Sequence, residues 1–331
     1  MRRREFTAAL VLAMASQDAW SQQRAVPRIA LFHPAIPTSL LTETGGGTAW
    51  RAFFGELRRL GYVEGHSIVI DRYSAEGHHE RYADIAREIV ARKPDLIVTG
   101  TNPVVLTFKA ATSSTPIVAF MIDPLKAGLV ESLARPQTNV TGITLDAGIE
   151  IWGKRLELLK EAVPMMRRVA FLGMREGWEG SFGQAMRDVA ARLGISLISM
   201  LPSTGTPLEI ERVFAEIAEQ RPDAVLITGE GDLYANRQLI AELARKYNMP
   251  TMCPYRDYVD AAGLMAYTVD LAELLRHMAL QVQQILAGTR AGDIPIYQPT
   301  KFQLLINLKT ANGMGLSLPS DLLSRADELI E

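Results

Sequence analysis

Short apolar runs rich in Ile and Val alternate with helical segments along most of this 331-residue chain. Each run has the length of one strand, and unbroken apolar character is typical of strands buried on both faces of a parallel sheet. The segments between them carry apolar residues at helical spacing, as at Trp50, Phe53, Phe54, Leu57 and Leu60. Strands alternating with helices in this way predict parallel sheets covered by helices.

The alternation runs from Ile29 to Thr144, starts again, and continues to Pro254. The chain length also suggests two domains of about 150 residues each. We therefore predict an α/β fold with two doubly wound parallel-sheet lobes joined by hinge strands. Lobe one is placed at residues 26–143 plus about 268–298, and lobe two at residues 144–267 plus about 299–331, because the tail is expected to cross back and complete both sheets.

The sequence also predicts two further helices. One is Leu125–Ala134, which follows the Asp123-Pro124 turn. The other is Ser320–Ile330, which ends the chain.

The stretch from Asp95 to Gly128 is the first place to look for function. It holds two predicted strands, Leu96–Val98 and Ile117–Ile122, and each ends in a polar turn. The first turn can cap a helix through Thr101 or Asn102, and the second carries Asp123. Ligands of open α/β sheets bind beyond the carboxyl ends of strands, so both turns are expected at a site.

The first residues have the pattern of an export signal. Arg2, Arg3 and Arg4 form a positive head, and the apolar segment 6–16 is too short to span a bilayer. Small residues at Ala19 and Ser21 favour cleavage before residue 22. The paired arginines also resemble a twin-arginine signal. We expect a periplasmic mature protein whose signal peptide, residues 1–21, is cleaved near Ser21.

Composition excludes several classes of function. The formal net charge is −2, so no electrostatic argument supports binding to nucleic acid. The single cysteine, Cys253, lies in an apolar run and is read as a core residue. We expect no cofactor and no metal. His78-His79-Glu80 is read as a solvated turn, because three adjacent side chains do not converge on one ion.

Motifs of phosphate-binding, dinucleotide-binding and hydrolytic enzymes are missing from the sequence. Gly45-Gly46-Gly47 lies too far beyond the first strand for a phosphate cradle and is read as a loop at the edge of a cleft. An enzyme remains an alternative, because four carboxylates fall in two predicted strand-end loops of lobe two: Glu176, Glu179, Glu230 and Asp232.

A binding cleft between the lobes uses the same loops. The candidate ligand-binding residues are those that follow predicted strands: His33, Thr101, Asn102, Asp123, Trp178, Glu230, Asp232, Tyr234 and Tyr255. A helix N-terminus at Thr101-Asn102 suits a ligand carboxylate. Asp123 suits a cationic group, and Trp178 and Tyr234 suit a flat or apolar ligand body.

Several segments, in this order, resemble one protein family. They are RREF near the start, GYVEG at 61–65, the turn at 123–124, NVTGIT at 139–144, KRLELLKEAVP at 154–164, AAGLMAY at 261–267 and PTKFQLLINLKTANGMGL at 299–316. The chain is similar to ABC-transporter substrate-binding proteins of the tryptophan/tyrosine-type family, which have a type I periplasmic-binding-protein fold.

The resemblance implies an extracytoplasmic receptor that captures a small polar molecule, such as an amino acid or an aromatic amino-acid-like compound. It implies a membrane permease as the protein partner, and we expect the receptor to be monomeric. The alternatives are an exported enzyme that uses the carboxylates of lobe two, and the sensor domain of a signalling system.

Overall fold

The computed structural model describes residues 26–45, 47–145 and 150–331. The predicted export signal and Gly46 lie outside these residues. Within them, no helix has both the length and the apolar character needed to cross a membrane.

The first sheet is built entirely from parallel strands. In chain order they are β1 (Arg28–His33), β2 (Val69–Ser74), β3 (Leu96–Gly100), β4 (Ile117–Met121) and β5 (Val140–Thr144). Their order across the sheet is β2-β1-β3-β4-β5. The order reverses beside β1, which is the topological switch point where open α/β sheets bind ligands.

The second sheet has seven strands in the order β12-β11-β10-β9-β8-β6-β7. They are β6 (Arg168–Leu172), β7 (Ser196–Met200), β8 (Ala224–Ile227), β9 (Thr251–Cys253), β10 (Met265–Thr268), β11 (Gln303–Asn307) and β12 (Glu328–Ile330). The sheet differs in one respect from the predicted parallel sheet: β11 runs antiparallel to β10. The predicted fold class, two α/β lobes, is confirmed.

Helices lie between the strands along the chain. They are α1 (Thr48–Arg59), α2 (Tyr82–Ala91), α3 (Asn102–Ala111), α4 (Glu150–Ala162), α5 (Arg175–Glu179), α6 (Ser181–Arg192), α7 (Pro207–Gln220), α8 (Gly231–Ala235), α9 (Arg237–Lys246), α10 (Arg256–Asp260), α11 (Leu271–Leu286), α12 (Leu308–Gly313) and α13 (Ser320–Ser324). Three-residue 3₁₀ helices add Thr38–Leu40, His79–Arg81 and Ala291–Asp293.

Helix α11 belongs to the first sheet although it follows a strand of the second. It packs against α1, whose buried face carries Trp50, Phe53, Phe54 and Leu57. The chain beyond it pairs with β5, where the Tyr297 N–H donates to Gly142 O at 2.9 Å. The chain thus passes between the sheets after β5, after β10 and again before β11.

Two predicted helices are wrong. The segment 125–134 is irregular, because Gly128 adopts a φ of +67° that ends a single turn begun at Asp123. At the C-terminus, α13 stops at Ser324 and the chain then pairs as β12 beside β11. The free edge of β11 offers backbone partners there, and these override the helical pattern.

Candidate functional site

A cavity of about 490 Å³ lies between the two lobes. Its walls come from the carboxyl ends of β1, β3, β4 and β5 in lobe one, and from those of β6, β8 and β9 in lobe two. This is the edge at which parallel strands present their loops, so the predicted location of the site agrees with the position of the cavity.

His33, at the end of β1, is buried in the wall of the cavity. Its Nδ1 accepts hydrogen bonds from the N–H groups of Ala35 at 3.0 Å and Ile36 at 2.8 Å. Burial lowers the pKa of His33 to about 3. The ring is therefore neutral with its hydrogen on Nε2, and it offers a ligand one donor.

Thr101 and Asn102 form the N-terminus of α3 and line the cavity. Thr101 has a φ of +66°, and its N–H donates to Phe120 O at 3.0 Å. The Asn102 side chain is bound on both sides to the backbone of Ile122, at 2.6 and 3.0 Å. Asn102 thus ties α3 to the end of β4 and fixes the position of a turn that lines the cavity.

Asp123 and Trp178 are not among the residues that line the cavity. Asp123 is exposed, and its carboxylate accepts from the Lys126 N–H of its own turn at 3.2 Å. Trp178 packs inside lobe two, 5.0 Å from the ring of Phe171 and beneath the guanidinium of Arg187. The geometry therefore gives both side chains structural roles and brings neither to the other candidates.

Seven aromatic side chains line the cavity, and sequence reasoning missed the majority of them. The aromatic lining residues are Trp50, Phe120, Trp152, Phe182, Tyr82, Tyr234 and Tyr255, beside His33 and His79. Only Tyr234 and Tyr255 were predicted at the site. The apolar patterns that contain Trp50 and Phe120 predict core residues, because such a pattern does not reveal which side of an element meets a cleft.

Two tyrosines of lobe two line the cavity, and the hydroxyl group of each is hydrogen-bonded to another residue of the protein. The Tyr234 hydroxyl donates to Asp257 Oδ2 at 3.1 Å, and the Tyr255 hydroxyl donates to Gly229 O at 3.4 Å. The two rings meet edge to face with centroids 5.8 Å apart. Trp152 similarly meets Phe182 edge to face at 5.0 Å. These contacts hold flat surfaces in place for a ligand.

The polar part of the wall is acidic. Glu176, Glu230 and Asp232 line the cavity, and no Lys or Arg side chain does so within the described part of the chain. Burial raises the pKa of Glu230, whose Oε2 contacts the Thr228 hydroxyl. Glu179, the fourth predicted carboxylate, instead pairs with Arg175 at 3.1 Å outside the cavity.

Asp232 joins the two lobes. Its Oδ2 lies 2.8 Å from Nε2 of His79 in lobe one, and this contact raises the pKa of His79. Its Oδ1 is buried, with no hydrogen-bond partner among the described residues. His78, next in sequence, pairs only with nearby Glu80 at 3.1 Å. Among the described residues, no group of three or more metal-ligating side chains is placed to hold an ion.

Other contacts across the cleft show that the lobes touch at its rim. Gly231 of lobe two lies so close to lobe one that a Cβ there would be 3.3 Å from the Pro34 side chain. Gly47, which precedes α1, is as close to lobe two, because a Cβ on it would lie 2.6 Å from the Tyr234 hydroxyl. The two lobes are therefore closed over the cavity.

Comparison with known families decides what kind of cleft this is. The family model described as ABC transporter substrate binding protein matches residues 48–330. This chain belongs to that family. Its members are substrate-binding proteins, so a small molecule and a membrane transporter are the partners that membership implies.

Individual relatives of this substrate-binding protein agree with that assignment. A tyrosine-binding protein of Clostridioides difficile is 23% identical over 270 residues, covering 81% of this chain and 76% of that protein. A solved structure of an ABC domain from Streptococcus pneumoniae in complex with L-Trp has a TM-score of 0.79 at 20% identity, covering 92% of this chain and all of that one. A conserved domain protein from Vibrio cholerae reaches a TM-score of 0.80 at 22% identity over the same shares.

Proposed function

We propose that this substrate-binding protein captures an aromatic amino acid, or a closely related compound, outside the cytoplasm and delivers it to an ABC permease. The observation that carries the proposal is a closed cavity with aromatic side chains in its walls, an acidic polar end and no Lys or Arg among its described lining residues. Such a wall suits a flat ligand body with an ammonium group. The tyrosine-binding relative and the L-Trp complex support the same ligand class.

Each part of an amino acid has a plausible counterpart in the cavity. The aromatic side chain would lie among Trp50, Phe120 and Trp152. The carboxylate would face the N-terminus of α3 and the Nε2–H of His33, because both present hydrogen-bond donors at the cavity wall. The ammonium group would face Glu230.

The remaining expectations are part of the same proposal. The protein would be exported by its signal peptide, cleaved near Ser21, and would act as a periplasmic monomer. It would bind without turnover. Lobe one would comprise residues 26–143 and about 268–298, and lobe two residues 144–267 and about 299–331. The presence of two separate sheets supports a division into two lobes.

Thermal unfolding of the mature protein tests the ligand class. L-tryptophan, L-tyrosine and L-phenylalanine are compared with L-alanine and a neutral sugar. A ligand present at a hundred times its dissociation constant should add about 2.7 kcal/mol to the free energy of unfolding. We expect the aromatic amino acids to raise the melting temperature. A shift with the sugar alone would overturn the proposal.

Tryptophan fluorescence tests whether the ligand binds within the cavity. L-phenylalanine, which does not absorb at the excitation wavelength of tryptophan, should change the emission of Trp50 and Trp152. We expect Trp152→Phe to reduce this change and Trp178→Phe to leave most of it, because Trp178 packs in lobe two away from the cavity. The opposite result would place the ligand elsewhere.

The enzyme alternative has its own test. Three of the four carboxylates on which the enzyme alternative depends line the cavity: Glu176, Glu230 and Asp232. The protein is therefore incubated with each aromatic amino acid, and the mixture is analysed by chromatography. We expect the amino acid to be recovered unchanged. A product that forms with the wild type and not with Asp232→Asn would favour the enzyme.

A further inference from the structure

The Thr228 hydroxyl has more acceptors than it has hydrogens. Its Oγ1 lies 3.0 Å from Leu172 O and also contacts Glu230 Oε2. A hydroxyl carries one hydrogen, and a carbonyl oxygen carries none. If Glu230 were ionised, one of these two oxygen–oxygen contacts would hold no hydrogen. A proton on Glu230 resolves the conflict, because Glu230 then donates to Thr228 and Thr228 donates to Leu172 O.

The other oxygen of Glu230 gains little from the protein. Its Oε1 accepts a long bond of 3.4 Å from the Met174 N–H, and the α5 backbone at Gly177 lies close to it. The backbone N–H of Glu230 itself adds one further donor to the carboxylate. A carboxylate that is largely removed from bulk water needs a cation or several short donors to stay charged. The described part of the cavity wall supplies neither.

The groups that face Glu230 do not provide a positive charge. On its own loop lies Asp232, and α5 brings Glu176. Tyr255, just before α10, and Tyr258, within it, are phenols and supply no positive charge. From lobe one, His33 is held neutral by its turn, and the charge of His79 is paired with Asp232. Burial, the largest cause, raises the pKa of Glu230, in agreement with the hydrogen count.

We propose that Glu230 carries a proton in the ligand-free protein and loses it when the ammonium group of an aromatic amino acid binds. The proton leaves the Glu230 carboxyl for solvent, and the ammonium group keeps its own hydrogens and donates to the carboxylate that remains. Glu230 is thereby the residue that selects for a ligand amine. This inference rests on the proposed function.

Calorimetry in paired buffers measures the released proton. L-tryptophan is titrated into the protein in two buffers of different ionisation enthalpy, at several values between about pH 5 and about pH 7. The work uses a His79→Gln background, since closing the cleft over His79 would otherwise take up a proton. We expect release of up to about one proton per ligand at some pH in this range.

Matched variants assign the proton to its residue. In the same background, Glu230→Gln retains a donor for Thr228, because the amide N–H₂ replaces the O–H, and it should release no proton. Glu176→Gln, which changes another carboxylate of the cavity, should still release it. Where proton release occurs, the dissociation constant should fall up to tenfold per unit rise in pH, and this slope should vanish in Glu230→Gln.

A ligand without an amine completes the test. Binding of 3-phenylpropionate should release no proton from the Glu230 carboxyl. Clear binding of L-tryptophan with equal enthalpy in both buffers at every pH would overturn the inference and leave the proposed function intact. Proton release that persists in Glu230→Gln would overturn it as well. Absence of any binding by the aromatic amino acids would instead remove the proposed function.

Discussion

His33 is held neutral by the turn that follows it. Nδ1 accepts from two backbone N–H groups, and a protonated ring would lose both bonds while being buried. The unfolded chain protonates its histidine near the ordinary value of 6.5, whereas the pKa of His33 in the folded protein is about 3. The folded state thus binds fewer protons between these values, and its stability falls as the pH falls through that window.

This acid sensitivity should disappear in His33→Asn. The Asn Oδ1 can accept the same two N–H bonds without taking a proton. Two pH units below 6.5, the wild type should have lost about 2.7 kcal/mol of unfolding free energy relative to the variant. Urea unfolding at several pH values measures the difference. The two proteins losing stability in parallel would show that His33 is protonated in the folded state.

Glu230 and Trp178 show what sequence could and could not predict at this scale. Seven of the nine residues predicted from strand-end positions line one cavity, because the carboxyl edge of a parallel sheet follows from the strand pattern: His33, Thr101, Asn102, Glu230, Asp232, Tyr234 and Tyr255. Trp178 lies in such a loop as well, yet the α5 turn directs its ring into the lobe. Side-chain direction inside a short loop helix is set by tertiary packing, which a local pattern does not record.

At the scale of elements, Asn102 fixes the position of the α3 N-terminus at the cavity. The two bonds between its side chain and Ile122 join the start of α3 to the end of β4. Asn139 makes a comparable pair of bonds at the opposite end of the same sheet, to Thr112 O and Thr115 O at 3.1 and 2.8 Å. The two residues therefore allow the local role to be separated from general stability.

We expect Asn139→Ala to cost about 1 to 3 kcal/mol of stability, because it leaves partly buried backbone groups without partners, and Asn102→Ala to cost less, because water can reach the backbone of Ile122. Only Asn102→Ala should also weaken binding of L-tryptophan, since it loosens the helix end that faces the ligand. Chemical denaturation and calorimetry measure the two effects. Equal loss of affinity in both variants would contradict a specific role for α3.

The C-terminal strand shows why the tail was predicted as a helix. Residues 320–330 carry apolar side chains at a spacing that suits a helix, but Asp327 lies opposite β11 and bonds to it twice. Its carboxylate accepts from the Leu304 N–H at 2.7 Å, and its own N–H donates to Leu304 O at 2.8 Å. A long-range partner of this kind decides the conformation of a short segment.

Removing that carboxylate should release the tail. Asp327→Ala leaves the Leu304 N–H without its partner and should cost about 1 to 2 kcal/mol. Asp321→Ala, on the exposed start of α13, should cost less. Amide hydrogen exchange of residues 328–330 should accelerate in the first variant only. Unchanged protection there would show that the backbone pairing alone holds β12.

At the scale of the whole molecule, closure depends on contacts between lobes that are separate when the cleft is open. His79 and Asp232 form the clearest of these, since one side chain comes from each lobe. Asp232 raises the pKa of His79 in the closed form, whereas an open cleft would leave His79 in water near its ordinary value of 6.5. Closure is therefore favoured below that value and loses this contribution as the pH rises through the raised pKa.

Ligand affinity should show the same pH dependence as closure of the cleft. With Glu230→Gln as background, raising the pH from about 6 to about 8 should weaken L-tryptophan binding by up to about fivefold, a modest effect because His79 is half exposed. His79→Gln should abolish the dependence. His78→Gln should retain it, since His78 pairs only within its own turn. Glu176, Glu80 and Tyr82 also face His79. An identical pH profile in both histidine variants would therefore assign the effect to those groups and contradict a role for the His79–Asp232 contact.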